Sequence, residues 1–368
     1  MTHKIRLDPT YKQRDYFTRA AGTSRFVWNW ALAEWNRLYE AGNKPNGNSI
    51  KKQFNAIYRK EYPWIGEVHR DCHSQPFADL QRAFGNFFKG LAKLPTFKIK
   101  HKNRPSFYVA NDKFSVDGFA VFLPVIGKIR MREQLRFNGK INSARIVNEC
   151  DEWFICISVD VGNLTKARHG EGTIGVDLGI KSLATLSTGE EIENPKPLRR
   201  AQTRLRRASR QLNRRANGSN NRNRQRLVVA RIHRRVRNIR HDVLQKLATR
   251  LCRENQTVVI EDLNVIGMVK NHRLAQSISD ASFGLFRTML EYKSILYGNR
   301  IVVADRFFPS SKTCSSCGLI KDKLSLGERT FSCECGFSLD RDLNAALNLR
   351  SLGQAMPEVT LTDSHGAG

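Results

Sequence analysis

Between residues 196 and 240 the chain carries seventeen Lys and Arg and no Asp or Glu. No other stretch limits the fold so tightly. Side chains of one sign repel one another, so the segment must form elements that keep one face in water or against an anion. Leu227, Ile232, Val236, Ile239, Val243, Leu247 and Leu251 recur at helical spacing. That spacing predicts a helix with one buried face and one cationic face. Asn217-Gly218-Ser219-Asn220-Asn221 is a turn signal. The expectation is therefore two antiparallel helices, a basic hairpin over 196–252. A solvated face normally mixes signs. The complete absence of acids favours contact with phosphates. Arg206, Arg207, Arg210, Arg214, Arg215, Arg234 and Arg235 are the candidate contacts.

The same bias runs through the whole chain. Lys and Arg number 62 against 34 Asp and Glu, a formal charge of +28 over 368 residues, and the 196–240 stretch supplies more than half of it. Such a charge calls for an anionic partner, either nucleic acid phosphates or an anionic membrane surface. No run approaches the ~18 apolar residues of a membrane span. Residues 1–16 are charged and lack an apolar signal core. The expectation is a soluble, cytoplasmic, nucleoid-associated protein with no membrane partner. An apolar fraction of 40% is ordinary for a globular chain, and the length suits two or three domains.

Lys4-Ile5-Arg6-Leu7 reads as a short strand that stops before Pro9. From residue 10 to about 91 the period is helical. Phe26, Trp28, Trp30, Leu32, Trp35 and Leu38 crowd one span, and Phe77, Leu80, Phe84, Phe87 and Phe88 recur at three- and four-residue steps. Core packing is the expected role of these aromatics, ahead of base stacking. Over 97–161 the period becomes two. Val116, Phe119, Val121 and Leu123 make one strand-like piece, followed by 126–131, 144–147 and 153–159. Short strands in series predict a small barrel or curled sheet. Lys98, Lys100, Lys102 and Arg104 make its start basic. The first strand is assigned to this barrel, so the helical block is an insertion in it.

From Gly172 the pattern changes again. Strands are expected at 173–177, 183–187 and 190–193, with a turn at Gly179-Ile180-Lys181. This is the opening meander of an RNase H-like sheet. A buried-type strand at 257–260 ends in Glu261-Asp262, and another at 301–304 ends in Asp305. The helix between them is expected to start near Ser279. Residues 354–368 are small and polar and read as a disordered tail.

Hydrolysis of a phosphodiester needs an activated water and a Lewis acid on the leaving oxygen. Two divalent ions about 4 Å apart supply both. Mg²⁺ prefers oxygen ligands, so carboxylates must converge on one point. Neighbouring strands, with a helix packed against them, can achieve this. Asp177 ends the Ile174-Gly175-Val176 strand, and Gly175 and Gly179 leave room beside it. Glu261 follows Val258-Val259-Ile260, and Asp342 lies at the helix start Asp340-Arg341-Asp342-Leu343-Asn344-Ala345-Ala346. Any one of these acids alone would more often be structural. Their joint occurrence in this order points to a metal site. Asp262, Asp305 and Asp340 are assigned no ligand role, and Asp340 reads as a cap.

Cys314-x-x-Cys317 and Cys333-x-Cys335 offer four thiolates suited to a closed, tetrahedral Zn²⁺ site. Gly318 and Gly336 each follow the second cysteine of a pair, where a knuckle needs a permissive backbone. The second spacing is one residue shorter than usual. Cys72, Cys150, Cys156 and Cys252 have no ligand spacing and read as buried or free thiols.

These motifs carry a family resemblance. Gly175-Val176-Asp177-Leu178-Gly179-Ile180-Lys181-Ser182-Leu183-Ala184-Thr185 resembles the first RuvC motif of the transposon-encoded TnpB (OrfB) family. Ile260-Glu261-Asp262-Leu263-Asn264-Val265 is similar to its second, and Asp340-Arg341-Asp342-Leu343-Asn344-Ala345-Ala346-Leu347-Asn348-Leu349 to its third. Phe308-Pro309-Ser310-Ser311-Lys312-Thr313-Cys314-Ser315-Ser316-Cys317-Gly318 resembles its approach to the zinc ribbon. Arg25-Phe26-Val27-Trp28-Asn29, Arg240-His241-Asp242 and Ser277-Ile278-Ser279-Asp280-Ala281 are weaker matches.

The resemblance implies an α/β multidomain protein related to the compact type V CRISPR effectors. A wedge β-barrel would occupy 1–15 and 96–165, with recognition helices at 16–95 inserted in it. The RNase H-like RuvC nuclease domain would occupy 166–305 and 337–353, with the zinc ribbon at 306–336. The implied activity is RNA-guided cleavage of DNA beside a short adjacent motif. Asp177, Glu261 and Asp342 would hold two Mg²⁺, or Mn²⁺ in their place. In the third motif the family places the catalytic acid at the second Asp, which selects Asp342 over Asp340. The implied partners are a guide RNA from the transposon end and a double-stranded target with a displaced strand, bound by a monomer. Gln75, with Arg70 and Ser74, falls where the family's recognition helices meet the duplex, and no residue role is carried across there.

Three other functions fit parts of the pattern. A guided DNA-binding protein that does not cut would be expected to have lost a carboxylate, and all three are present. A non-specific zinc-ribbon nucleic-acid binder accounts for the charge but not for the ordered acids. A DNA-joining transposase would share the RNase H-like sheet and differs in its products.

Overall fold

The computed structural model describes residues 1–100, 102–162, 170–325 and 327–356. The chain divides into two compact units, Met1–Asn163 and Leu164–Gly368. The expected boundary at 165/166 lies outside the described residues.

The first unit begins with β1 (Thr2–Asp8) and a helical block of α1 (Tyr11–Glu40), α2 (Gly47–Glu61) and α3 (Asp71–Phe88). Six strands follow: β2 (Ser106–Ala110), β3 (Ser115–Asp117), β4 (Ala120–Leu123), β5 (Gly127–Met131), β6 (Lys140–Glu149) and β7 (Glu152–Asp160). Pro9 and Thr10 set the change from strand to helix. The Thr10 hydroxyl accepts from Gln13 N while Gln13 Oε1 accepts from Thr10 N, a capping box.

Pro76 lies inside α3 and cannot donate to the carbonyl four residues back, that of Cys72. The Ser24 hydroxyl of α1 donates to that carbonyl instead, at 2.6 Å, so the freed acceptor becomes an interhelical bond. The expected aromatic cluster is a core: Trp28, Leu32, Trp35, Phe54, Phe77 and Phe84 are buried together. Trp35 and Phe84 stack at 4.2 Å. Phe88 is the exception and is exposed.

The strands form one antiparallel sheet in the order β2-β6-β7-β1-β5-β4-β3. β1 sits at its centre, so the helical block leaves and rejoins the sheet between β1 and β2. Inward residues from both halves, such as Ile5, Phe107, Val121, Met131 and Ile155, share one core with Phe17 of α1. The sheet therefore curls. Among the described residues β2 and β3 remain edges, so its ladder does not close as a barrel's would. The single strand expected around Val116 to Leu123 is a hairpin of β3 and β4. It turns at Gly118, whose φ is +49°, and leaves Phe119 exposed. β2 is a further strand beyond those the sequence pattern predicts.

The second unit contains β8 (Thr173–Leu178), β9 (Ser182–Leu186), β10 (Glu191–Glu193), α4 (Pro197–Asn213), α5 (Asn220–Glu254) and β11 (Thr257–Glu261). Then come α6 (Val265–Val269), α7 (Ala275–Ala281), α8 (Phe283–Tyr297) and β12 (Arg300–Ala304). A small hairpin, β13 (Thr330–Ser332) and β14 (Ser338–Asp340), leads directly into α9 (Arg341–Ala355). The main sheet has the order β10-β9-β8-β11-β12. Its first three strands are an antiparallel meander, and β8, β11 and β12 are parallel.

Alternation along β11 sends its residues to opposite faces. Val258 and Ile260 join the core made with α5 and α8, whereas Val259 joins Leu349 of α9. Helices thus cover both faces of the sheet. The helix expected near Ser279 is two, because Ser282 between them takes φ +58°. Residues 354 and 355, expected to belong to a tail, are the last two of α9. Residues 357–368 lie outside the described residues.

Candidate active site and metal centre

β8 and β11 run parallel, with Val176 opposite Ile260. One residue further on, Asp177 and Glu261 leave the ladder side by side. Val176 and Ile260 point into the α5–α8 core. Period two therefore turns both acids to the other face, where α9 lies.

α9 reaches that face unusually closely. A Cβ on Gly175 would lie 2.0 Å from the Ala346 carbonyl oxygen and 2.6 Å from Arg350 N. A Cβ on Gly353 would lie 2.4 Å from Val259 Cγ2. The absence of these two carbons lets helix backbone rest on strand backbone. Asp342 is one turn before Ala346 and shares its side of the helix. It is thereby brought towards the carboxyl ends of β8 and β11.

The three carboxyls act on one another electrostatically. Burial pushes the Asp177 carboxyl well above the ordinary range, Glu261 and Asp342 push it further, and Arg341 opposes them. The Glu261 carboxyl is also raised, by burial first and by Asp342, against a hydrogen bond from Ser310. Three acids that repel one another at a half-buried sheet end could serve as donors to a hard divalent cation. They are not closed around one point. Among the described residues, only the four cysteines form a group of three or more His, Cys, Asp or Glu ligand atoms within 4.8 Å.

The three neighbouring acids all have structural partners. Asp262 binds Arg287 at 2.8 Å and Arg306 at 2.6 Å. Asp305 accepts from Phe307 N at 2.8 Å. Asp340 caps α9, accepting from the N–H groups of Asp342 at 2.9 Å and Leu343 at 3.1 Å.

In the cysteine cluster, Cys314 and Cys335 sulfurs are 3.8 Å apart and those of Cys317 and Cys333 are 3.6 Å apart. A zinc–sulfur bond of about 2.3 Å gives a tetrahedron whose edge is about 3.8 Å, so the four thiols fit Zn²⁺. The shorter second spacing does not spoil the knuckle. Gly318 N donates to Cys314 O and Gly336 N to Cys333 O, with φ of +80° and +85° at the two glycines. Burial opposes ionisation of Cys314, but the Cys317 and Ser316 backbone brings its thiol down to about 7. The Leu319 backbone lowers the Cys317 thiol, yet its sulfur neighbours carry it up to about 12. Four such sulfurs become thiolates together only around a cation.

The basic hairpin is present as α4 and α5. Arg206, Arg207, Arg210, Arg214 and Arg235 are exposed, and Arg215 is half-buried. None of the six has an acidic partner among the described residues. Arg234 is half-buried and has a partner. The buried face departs from the expectation. Ile239 is 36% exposed and Leu227 half-buried, while Gln225 is buried and donates to Ala208 O at 3.1 Å. The α4 helix beside α5 offers little apolar surface, with only Pro197 and Ala208 buried.

Several residues in the quoted motifs acquire a place that spacing did not suggest. Asp280 is buried, accepts from Leu198 N and Arg199 N at the start of α4, and binds Arg240 at 2.9 Å. Ser310 donates to Glu261. Asn344 and Asn348 are buried on α9. Their signal was polarity recurring every fourth residue among alanines and leucines on a helix that otherwise looks like core. In the first unit, Arg25, Gln75, Asp79, Lys98, Arg104 and Arg145 line a polar cavity of about 150 Å³.

Comparison with known proteins bears on this architecture. Residues 154–272 match the IS605 OrfB family, described as "Probable transposase". Residues 283–349 match the Cas12f1-like TNB domain. Residues 1–44 match a helix-turn-helix domain of the OrfB family. Here that last segment is β1 followed by one uninterrupted helix, α1. Relatives in Streptomyces pristinaespiralis and Escherichia coli (strain K12) are both named "Putative RNA-guided DNA endonuclease", the latter InsQ. The first is 38% identical over 96% of this chain and 89% of its own length; the second is 30% identical over 96% and 92%. A solved structure of Cas12f1 in complex with sgRNA and target DNA has a TM-score of 0.56 at 14% identity, covering 93% of this chain and 83% of that one. That likeness is one of fold. No helix among the described residues is long and apolar enough to cross a membrane. With its sheet, its cysteine cluster and near-full-length relatives in agreement, the chain belongs to the IS605 OrfB family, which includes TnpB.

Proposed function

We propose that this protein is an RNA-guided DNA endonuclease of the RuvC type, cutting a target beside a short adjacent motif. The observation that carries the reading is the meeting of Asp177, Glu261 and Asp342 where β8, β11 and α9 come together. Two bound Mg²⁺ would activate water and stabilise the leaving oxygen of the phosphodiester. The protein's own part is positional. Asp177 and Glu261 are fixed by the sheet, Asp342 by the capped start of α9, and Ser310 orients Glu261. Burial, and after it mutual repulsion, holds the Asp177 and Glu261 carboxyls up, and the repulsion is relieved when cations sit among them.

The unpaired arginines of the α4–α5 hairpin supply backbone contact to a guide–target heteroduplex, leaving sequence to base pairing. The first unit serves as the wedge and recognition part, over 1–15 with 96–165 and 16–95 respectively, and its cationic cavity suits a nucleic acid group. The nuclease part spans 166–305 and 337–353, with the zinc ribbon at 306–336. The guide is an RNA from the transposon end, the target a duplex opened to one displaced strand. The protein acts as a monomer with its RNA, in the cytoplasm at the nucleoid.

The test is Asp177→Ala in the guide–protein complex. Cleavage of a matched target in Mg²⁺ is lost while guide binding is retained. Cleavage at the wild-type rate would remove Asp177 from the site. The family description keeps DNA joining as a second reading, and strand-transfer products in the same assay would support it.

A further inference from the structure

The two halves of the cysteine cluster lead, by separate routes, to two of the three carboxylates. Residues 310–315 form a strap that carries Cys314, which is 1% exposed. Asn348 Nδ2 donates to Ser310 O and to Thr313 O, each at 2.7 Å. Asn344 Nδ2 donates to Thr313 O at 2.7 Å, and its Oδ1 accepts from Ser315 N at 3.0 Å. Asn344 is fully buried and Asn348 nearly so. At the near end of the strap the Ser310 hydroxyl reaches Glu261.

The second pair, Cys333 and Cys335, lies in the turn of the β13–β14 hairpin. Its last residue, Asp340, pairs with Thr330 and caps α9. Two residues on is Asp342. Closing four sulfurs on one ion therefore draws together the strap that holds Glu261 and the hairpin that sets the start of α9.

We propose that the cysteine-bound zinc is a positioning device for the carboxylate site, transmitted through the Asn344–Asn348 clamp to Ser310 and Glu261 and through β14 to Asp342. Buried polar side chains with every partner satisfied specify one arrangement of the elements they join. Residues behind the ligands of a metal site hold those ligands in their binding orientation, and their loss costs about 10- to 100-fold in affinity. Ser310, Asn344 and Asn348 are positioning residues in this sense. The inference rests on the reading of Asp177, Glu261 and Asp342 as a divalent cation site.

The experiment measures Mn²⁺ binding to the full guide–protein complex by the electron spin resonance of free Mn²⁺. Zinc-loaded wild type is compared with zinc-stripped wild type, zinc-loaded Ser310→Ala and zinc-stripped Ser310→Ala. Stripping and Ser310→Ala should each weaken Mn²⁺ binding about tenfold or more. Because both act on Glu261, their effects should combine to less than the product of the two. Equal Mn²⁺ affinity with and without zinc, or fully multiplicative losses, would overturn the proposal. Should stripping unfold the ribbon outright, zinc-loaded Asn348→Ala carries the same test, with a tenfold loss expected and an unchanged affinity refuting it. Asp177→Asn separates the two readings. If it binds Mn²⁺ as wild type does, the carboxylate site itself is misassigned.

Discussion

Replacing Arg206, Arg207, Arg210 and Arg214 together by Gln tests the hairpin as a phosphate-binding surface. Arg206, Arg210 and Arg214 recur every fourth residue, about 6 Å apart along the axis, and Arg207 stands beside them. All four are exposed without an acidic partner among the described residues. A neutralised phosphate releases its counterions, which gives a salt slope of about −0.9 per contact on duplex and about −0.7 on a single strand. If every one of the four meets a phosphate, the slope flattens by about 3.6 on duplex or about 2.8 on a single strand. Between about 50 and 200 mM salt, the affinity lost by wild type then exceeds that lost by the variant about 150-fold on duplex and about 50-fold on a single strand. Filter binding of guide RNA and of a matched heteroduplex across that range measures it. Folding supplies the control. Gln is as good a helix former as Arg, and each relieved like-charge pair returns about 0.2–0.5 kcal/mol. The variant's Tm should hold or rise. An unchanged slope for both ligands would show that these arginines are only a solvated face.

Asp280→Ala should be severe at a distance from the site. It leaves Arg240 unpaired in a half-buried position and removes the acceptor for the first N–H groups of α4. Breaking such a pair costs about 3–5 kcal/mol; urea unfolding measures it, and a loss under about 1 kcal/mol would refute the assignment. The raised carboxyls predict a pH dependence. Asp177 and Glu261 hold protons in the native state that they release on unfolding, so metal-free stability falls as pH rises above the ordinary carboxylate range. Asp177→Asn lacks that penalty, so its Tm advantage over wild type should grow from about pH 5 to about pH 8 and shrink in saturating Mg²⁺. Equal melting curves throughout would show that the acids are not coupled.

Much of the site could be read from local sequence because local rules govern its parts. A strand of apolar residues ending in an acid places that acid at a sheet end wherever the sheet lies. This holds for Asp177 and for Glu261. Asp340 behaves as a cap because an Asp two residues before a helix N–H can accept from it without help from other elements. The knuckles follow from cysteine spacing and from glycines able to adopt positive φ. In the first unit, short strands announced a curled sheet, while the hairpin at Gly118 and strand β2 went unread because stretches of five residues or fewer carry little periodicity.

Sequence by itself determined the period of each element, the cationic face without acids, and the chemical kind of each candidate ligand. Tertiary structure decided which of them meet. That β8 and β11 are parallel neighbours in register, so that Asp177 and Glu261 emerge together, depends on pairing between segments some eighty residues apart. Gly175 looked like room beside an acid and proves to be the seat of α9, whose own Gly353 completes the approach. Asp280 and Arg240, or Ser310 and Glu261, become partners only once helices and strap are stacked on the sheet. Such contacts arise from the packing of whole elements, and a polar residue's role there is set by which unsatisfied group the packing brings within hydrogen-bonding reach.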